Sequence, residues 1–169
     1  HNVSTNERGG GMIEPQIKEQ WFIDVNKPIP SKGGKTLKDL MKEPVVNGQV
    51  KIMPEHFERV YFNWIDNLRD WCISRQIWWG QRLPVYHCTD CHNIMVLDKK
   101  PDSCQKCTSK KVIQDEDTLD TWFSSALWPF STLGWPDKLD NFEKYWINGN
   151  PTQYCGKDNT RFQSATWQA

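Results

Sequence analysis

Four cysteines in two closely spaced pairs constrain the fold of this chain more than any other feature of its sequence. Cys88 and Cys91 form one Cys-x2-Cys pair, and Cys104 and Cys107 form a second pair after twelve intervening residues. A Cys-x2-Cys turn directs both sulfurs towards one ion, and two such turns complete a tetrahedral zinc site with Zn–S bonds of about 2.3 Å. The spacing therefore predicts a structural zinc ribbon over residues 83–113, with no coordination position left open for chemistry.

Other interpretations of these cysteines stay open at the level of sequence. The pairs could form two disulfides, although no secretory signal is visible and the two remaining cysteines, Cys72 and Cys155, are distant in sequence. His87 and His92 flank the first pair, and either could replace one thiolate. A catalytic zinc is disfavoured, because the His-x-Glu that precedes Pro-Cys-x-x-Cys in zinc deaminases is absent.

The composition is that of a globular domain that depends on aromatic burial. Its 169 residues correspond to one domain or slightly more. The apolar fraction is only 37%, so the ten tryptophans must supply much of the buried surface. Basic and acidic residues number 21 each, which excludes a polyanion binder that works through bulk charge. No apolar run reaches the roughly 18–20 residues that span a bilayer, so we expect no membrane segment.

The hydrophobic pattern predicts one clear helix and several shorter elements. From Pro54 onward, apolar side chains recur with a period near 3.6, which is typical of an amphipathic helix. These side chains are Phe57, Val60, Tyr61, Trp64, Ile65 and Leu68. A shorter helix is expected over residues 36–43, ended by Pro44, and another after Asp158, capped by Asp158 or Asn159. Short strands are expected over residues 12–15, 20–25, 71–74 and 152–156.

Two longer stretches are more specific than these patterns. Residues 70–84 read DWCISRQIWWGQRLP, and residues 115–136 read DEDTLDTWFSSALWPFSTLGWP. Together they resemble class I aminoacyl-tRNA synthetases of the valine, isoleucine and leucine group. The double tryptophan before Gly80 and the run from Ser124 to Pro129 are similar to the valine-specific members in particular. The paired cysteines between the two stretches resemble the zinc-binding insertion of many of these enzymes.

The resemblance implies an α/β fold, namely the second half of a Rossmann-type class I synthetase catalytic domain with an inserted zinc ribbon. Residues 13–15 and 20–22 resemble the strand that returns from the family's editing insertion to its catalytic core. The implied division is a return segment from the editing insertion (1–24), the first part of the catalytic core (25–82), the zinc ribbon (83–113) and an incomplete Rossmann second half (114–169).

The resemblance also implies a pocket for the amino-acid side chain. Trp71 and Trp122 would line it, because flat, rigid indoles make a dry wall that suits a β-branched aliphatic group. The structural alternative for both residues is ordinary core packing.

A second set of implied roles concerns the nucleotide. Gly156 and Asp158 resemble the adenosine-binding Gly-x-Asp turn of the family, in which the carboxylate accepts hydrogen bonds from the ribose hydroxyls. Arg75 and Gln76 would orient the adenylate or the end of the tRNA. The alternatives are a helix cap for Asp158, and a salt bridge or a loop anchor for Arg75 and Gln76.

The family activates an amino acid with ATP and Mg, releases pyrophosphate and transfers the aminoacyl group to tRNA. The implied partners of this chain are valine, ATP, tRNA(Val) and the rest of the synthetase chain, in the cytoplasm. The phosphate-stabilising motifs of the family, a His-x-Gly-His turn and a Lys-Met-Ser-Lys loop, do not occur in the sequence. We therefore expect an internal piece of a longer synthetase that does not catalyse activation alone.

Three alternatives to a valine-specific enzyme stay open. The local sequence Gly156-Lys157-Asp158 resembles the methionine enzyme more than the valine one, which keeps isoleucine- or methionine-type activity in view. A zinc-ribbon nucleic-acid-binding module without catalysis would explain the cysteines and the lysine pairs at 99–100 and 110–111, but not the flanking tryptophan-rich stretches. A structural or regulatory paralogue would keep the half-fold without catalysis.

Overall fold

Short strands and helices surround two hydrophobic clusters. The structure is a computed structural model and describes residues 3–167. Its strands are β1 (Phe22–Ile23), β2 (Trp71–Cys72), β3 (Ser74–Arg75), β4 (Val85–Cys88), β5 (Ile94–Val96), β6 (Val112–Gln114) and β7 (Thr118–Leu119). Its α-helices are α1 (Leu37–Val46), α2 (His56–Asp66), α3 (Thr121–Ser131) and α4 (Asp140–Phe142). Tighter 3-10 turns cover Pro30–Lys32 and Lys157–Asn159, and wider π-type turns cover Glu143–Ile147 and Thr160–Ser164.

The strands form three small antiparallel sheets. Strand β1 pairs with β2, β3 pairs with β7, and β4 lies between β5 and β6. The chain contains both helices and strands, as predicted, and every strand pair within residues 3–167 is antiparallel. Parallel pairing requires crossover connections between neighbouring strands, and β2 and β3 instead pair with segments that run in the opposite direction. No helix in this described part of the chain is long and apolar enough to cross a membrane.

Helix α1 begins at a capping box. The Thr36 hydroxyl accepts the backbone N–H of Asp39 at 3.2 Å, and the Asp39 carboxylate accepts the backbone N–H of Thr36 at 2.9 Å. The helix continues through Pro44 to Val46, so the prediction that Pro44 ends it was wrong. A proline removes only its own amide donor, and the helix ends two residues later, so the disturbance is confined to the last turn.

Helix α2 carries the apolar stripe predicted from sequence. Tyr61 and Ile65 are buried, and they join the first hydrophobic cluster, which also contains Met41, Val45 and Ala165. The Tyr61 hydroxyl donates a hydrogen bond of 2.5 Å to the Met41 carbonyl, and burial raises the pKa of this phenol. Trp64, on the same helix, stays 43% exposed because it borders an open cleft.

The second hydrophobic cluster lies in the sheet formed by β5, β4 and β6. Its buried members are Tyr86, Cys88, Met95, Cys104 and Val112. Two of these five residues are predicted metal ligands, so this sheet has little apolar core that is independent of the cysteine cluster.

Two strands expected from sequence are not formed. In residues 12–15, Met12 makes only an isolated bridge with Thr5, and residues 152–156 are irregular, with Tyr154 90% exposed. A strand needs a partner along several residues. In the described chain the first stretch meets residues 4 and 5 only, and no strand pairs with the second. The strand expected over residues 20–25 is shortened to β1, and that over residues 71–74 is divided into β2 and β3.

The helix expected after Asp158 begins differently from the prediction. A 3-10 turn starts at Lys157, with Gly156 in the preceding cap position, and the wider turn Thr160–Ser164 follows. Neither the Asp158 nor the Asn159 side chain caps these turns. Instead, the buried Thr160 hydroxyl donates to the Lys157 carbonyl at 3.0 Å and ties the two turns together.

Candidate active site and metal centre

The four paired cysteines converge on one point. The Sγ atoms of Cys88, Cys91, Cys104 and Cys107 all lie within 4.8 Å of one another. The Sγ atoms of Cys88 and Cys107 are 3.5 Å apart, and those of Cys91 and Cys104 are 3.6 Å apart. Zn–S bonds of about 2.3 Å in a regular tetrahedron place the sulfurs about 3.8 Å apart. The four thiols therefore fit a tetrahedral metal ion, and no disulfide links any cysteine in residues 3–167.

The two Cys-x2-Cys turns share one backbone geometry. His92 and Thr108, which follow the second cysteine of each turn, are the non-glycine residues with positive φ in the described chain, at 55° and 59°. Each donates its N–H to the carbonyl of the first cysteine of its turn at 2.9 Å. The first cysteines in turn donate to Asn93 and Ser109 carbonyls at 3.0 and 2.8 Å. This repeated turn orients both sulfurs of a pair to the same side.

The alternatives to four thiolates are not favoured by this geometry. His87 directs its Nε2 to the Asp115 carboxylate at 2.8 Å, and the group able to hold a metal in the described residues consists of the four cysteines. Burial alone would raise the pKa of the Cys104 thiol. Hydrogen bonds from the Cys107 and Lys106 amides and from neighbouring thiols outweigh this effect and lower the pKa to about 6. The pKa values of the Cys91 and Cys107 thiols in the same cluster are raised, so a metal ion would have to displace their protons to bind all four as thiolates.

An open cleft of about 540 Å³ lies beside the first hydrophobic cluster. It is bordered by β1, β2, α2, α3 and the turn Thr160–Ser164. The lining residues are Ile23, Val25, Leu37, Met41, Trp64, Asn67, Leu68, Arg69, Asp70, Trp71, Cys72, Arg75, Phe123, Ala126, Leu127, Arg161, Phe162 and Thr166. Most of these side chains are apolar, which suits a ligand with an aliphatic part.

The structure brings three of the sequence-predicted site residues to this cleft or its wall. Trp71 and Arg75 line it directly. Trp122 stands behind Phe162, with ring centroids 5.3 Å apart and the rings 10° from parallel. Phe162 also lies 6.0 Å from the Trp71 ring, so it joins the two predicted pocket tryptophans in one aromatic wall. Phe162 was not identified from sequence as part of this wall.

A buried carboxylate that the sequence analysis missed connects these residues. Asp120 is 4% exposed, and its Oδ2 accepts the indole N–H of Trp71 at 2.9 Å and pairs with Arg75 Nη2 at 3.0 Å. Its Oδ1 accepts the backbone N–H of Trp122 at 3.5 Å and caps helix α3. The signal was present in the sequence, because Asp120 stands two residues before Trp122 in the same tryptophan-rich stretch.

Of the four residues predicted for the nucleotide, only Arg75 lines the cleft. Gln76, Gly156 and Asp158 are exposed. A Cβ added to Gly156 would approach Asp158 Oδ1 to 2.5 Å, because the carboxylate folds back over the glycine. Arg75 has the structural contacts expected of a loop anchor, since its Nη1 donates to the carbonyls of Cys72 and Ser74 at 2.9 and 2.7 Å.

Comparison with known proteins identifies a family. The model of tRNA synthetases class I (I, L, M and V) matches residues 4–166. Among similar curated proteins, the valine--tRNA ligases of Clostridium acetobutylicum and Clostridium perfringens are 49% and 51% identical over 146 residues, and that of Thermotoga maritima is 45% identical over the same length. Each match covers 86% of this chain and 16% of the relative. The chain therefore belongs to the class I tRNA synthetases of the isoleucine, leucine, methionine and valine group.

Proposed function

We propose that this chain is part of the catalytic region of a valine–tRNA ligase, which activates valine with ATP and transfers it to tRNA(Val). The observation that carries the proposal is the 49–51% identity to clostridial relatives named valine--tRNA ligase over most of the chain. The chain spans about 16% of the length of these relatives, so the activity belongs to the longer protein. The cytoplasm is the compartment that we assign to it.

The division of the chain follows from this proposal. We assign residues 1–24 to the return from the editing insertion, 25–82 to the first part of the catalytic core, 83–113 to the ribbon, and 114–169 to the second half of the Rossmann domain. In support, the strands of the β5–β4–β6 sheet come between β3 and β7 in sequence, and β3 and β7 pair with each other, as expected for an insertion. The parallel sheet of the Rossmann domain would be completed by other parts of the ligase.

The cleft is the proposed pocket for the valine side chain. Trp71 lines it and Trp122 supports its wall through Phe162, so the β-branched group would pack against indole and phenyl faces without water. Asp120 fixes the Trp71 indole by its N–H, which limits the orientations that this wall can adopt. Positioning of this kind is the main contribution that a synthetase pocket makes to catalysis.

We assign the nucleotide to the residues around Gly156. Asp158 would accept hydrogen bonds from the ribose, and Arg75 and Gln76 would orient the adenylate or the tRNA end. The exposure of Gly156, Gln76 and Asp158 supports an assignment in which they meet a ligand. ATP enters with Mg as a substrate.

We assign zinc to the cysteine cluster. Four thiolates in a tetrahedron suit Zn²⁺ and leave no position for a reacting water, so the ion would stabilise the ribbon rather than take part in the reaction. Among the lysine pairs that favoured a nucleic-acid-binding ribbon, Lys111 is ion-paired with Asp90 at 3.1 Å.

The rest of the ligase is the proposed partner of the loop that follows β3. Ile77, Trp78 and Trp79 are consecutive and 52%, 97% and 87% exposed, respectively. Adjacent exposed tryptophans mark an interaction surface, because their burial would remove a large apolar area from water.

A chimera tests the proposal. Residues of this chain would replace the matching segment of the Clostridium perfringens valine–tRNA ligase, and amino-acid-dependent exchange between ATP and pyrophosphate would be measured. We expect exchange that depends on valine, and a loss of roughly 10-fold or more for Trp71→Ala, because one wall of the pocket is removed. Trp135→Ala is the matched control, since this indole lies outside the cleft lining.

The alternatives give different results in the same assay. Exchange that depends on isoleucine or methionine instead of valine would show that the enzyme has the alternative specificity, the methionine-type case being the one that residues 156–158 resemble. A folded, zinc-loaded chimera that is inactive with all three amino acids would contradict the proposal and favour the module without catalysis.

A further inference from the structure

Arg161 holds its guanidinium on the wall of the cleft between two aromatic rings. Its Cζ lies 5.3 Å from the centroid of the Trp64 ring and 4.2 Å from that of Phe162. All three residues line the cleft. Stacking on aromatic faces restricts the guanidinium, but it uses none of its five N–H donors. The stacking contacts therefore fix the guanidinium at the cleft and leave its N–H donors available to a ligand.

Arg161 differs from Arg75, another arginine of the cleft wall, in its lack of a carboxylate partner among the described residues. Arg75 has a partner, because its Nη2 lies 3.0 Å from the buried Asp120 carboxylate. Asp70 accepts the Val25 N–H at 3.3 Å and is the acidic residue of the lining. No carboxylate of residues 3–167 lies within 4.0 Å of the Arg161 guanidinium. With Arg69 also on the wall, the cleft carries an excess of positive charge in a chain whose formal net charge is zero.

We propose that Arg161 binds an oxyanion of the ligand whose aliphatic part occupies the cleft: the carboxylate of the amino acid or the phosphate of its adenylate. This proposal rests on the proposed function and adds a binding residue to it. A planar guanidinium matches both groups, because its paired N–H donors meet two oxygens at once. The apolar wall and the cation together define an amphiphilic ligand with one anionic end.

Ligand pairs that differ only in this anionic group test the proposal. The chimera described above, in which this chain replaces the matching segment of the Clostridium perfringens ligase, would be titrated with L-valine and L-valinamide, and with AMP and adenosine, by ligand-detected NMR. We expect Arg161→Gln to weaken the binding of the anionic member of one pair roughly 10-fold, since a hydrogen bond to a charged group is lost. The uncharged member of that pair should keep its affinity, which shows that the cleft is still folded.

The control and the outcomes separate this inference from the proposed function. Arg59→Gln removes the same charge from an exposed position of helix α2 outside the cleft lining, and should change neither pair. An effect on valine places the carboxylate at Arg161, and an effect on AMP places the phosphate there. If the chimera binds these ligands and Arg161→Gln alters neither pair selectively, the inference is wrong and the proposed function stands. If the chimera with Arg161 retained binds none of the four, both are contradicted.

Discussion

At the scale of the residue, Asp120 has more influence on the candidate site than its position in the sequence indicates. The cysteine cluster was predictable because the local spacing of the cysteines already limits what they do, whereas the role expected of Trp71 came from the resemblance to the synthetase family. The contacts of Asp120 were not, since the Trp71 indole that it binds lies 49 residues away. An aspartate is usually exposed. Only the folded chain shows that this one is 4% exposed and contacts Trp71, Arg75 and Trp122.

Replacement of Asp120 by alanine should destabilise the chain by about 2–4 kcal/mol. Loss of a helix N-cap costs about 1 kcal/mol, and an indole N–H left without its acceptor costs about 1–3 kcal/mol. Urea unfolding monitored by tryptophan fluorescence measures this loss. Asp137→Ala, at an exposed position, should have little effect, and equal losses for the two variants would show that the Asp120 contacts do not stabilise the fold.

At the scale of the element, prediction from sequence worked where the signal was local. The stripe of α2 has a helical period that no strand shares, so its presence was predictable, and the ribbon followed from cysteine spacing. Residues 152–156 look like a strand in composition, but a strand forms only against a partner, and pairing is not encoded locally. The same limit explains why residues 71–74 form two strands with different partners, β1 and β7.

The capping box of α1 links the stability of the helix to the protonation of Asp39. Hydrogen bonds from the Thr36 side chain and backbone hold the pKa of Asp39 below its ordinary value. Because the folded-state pKa is depressed, this stabilisation is present above the ordinary carboxyl pKa and is lost as the pH falls through the folded value. Thr36→Ala should cost about 1 kcal/mol in the free energy of unfolding and return the pKa of Asp39 towards its ordinary range.

An NMR titration of the Asp39 carboxyl measures this effect, with Thr152→Ala at an exposed, irregular position as the control. A pKa of Asp39 that is the same in Thr36→Ala and in the unchanged chain would mean that the capping box is not formed in solution.

Removal of the proposed zinc ion should unfold the ribbon and leave α2 folded. Two of the five buried residues of the ribbon cluster are cysteines of the metal site, whereas α2 packs in a separate cluster. A chelator at neutral pH should therefore abolish hydrogen-exchange protection in β4, β5 and β6 while that of α2 persists.

The same treatment should expose the four clustered thiols to a thiol reagent. A background with Cys72→Ser and Cys155→Ser isolates these four from the other cysteines. Thiols that react equally before and after chelation would contradict the metal site.

At the scale of the whole molecule, one carboxylate joins three parts of the chain that are far apart in sequence. Asp115 Oδ2 accepts the Trp21 indole N–H at 3.0 Å and lies 2.8 Å from His87 Nε2. Arg82 donates two hydrogen bonds to the Asp115 carbonyl, at 3.0 and 2.7 Å. The Trp21 contact spans 94 residues, which is why no sequence pattern predicted how the ribbon sits on the segment at residues 20–25.

Replacement of Asp115 by alanine should loosen the ribbon from this segment. Burial alone would raise the pKa of the Asp115 carboxyl. Hydrogen bonds from His87, the Asp117 amide and Trp21 outweigh this effect, so the pKa lies below its ordinary value. A depressed carboxyl pKa stabilises the folded state above the ordinary pKa, and this contribution is lost only as the pH falls through the folded value. The full effect is therefore present at neutral pH.

We expect a loss of about 1–3 kcal/mol for Asp115→Ala, since Trp21 and His87 both lose their acceptor. Hydrogen exchange should show β1 and β4 losing protection together, because the carboxylate contacts both Trp21, the residue before β1, and His87 of β4, while α1 and α2 keep theirs. Glu116→Ala, at the adjacent exposed position, removes one acidic charge without these contacts. If β4 loses protection and β1 does not, the ribbon and the return segment are stabilised separately, and Asp115 does not couple them.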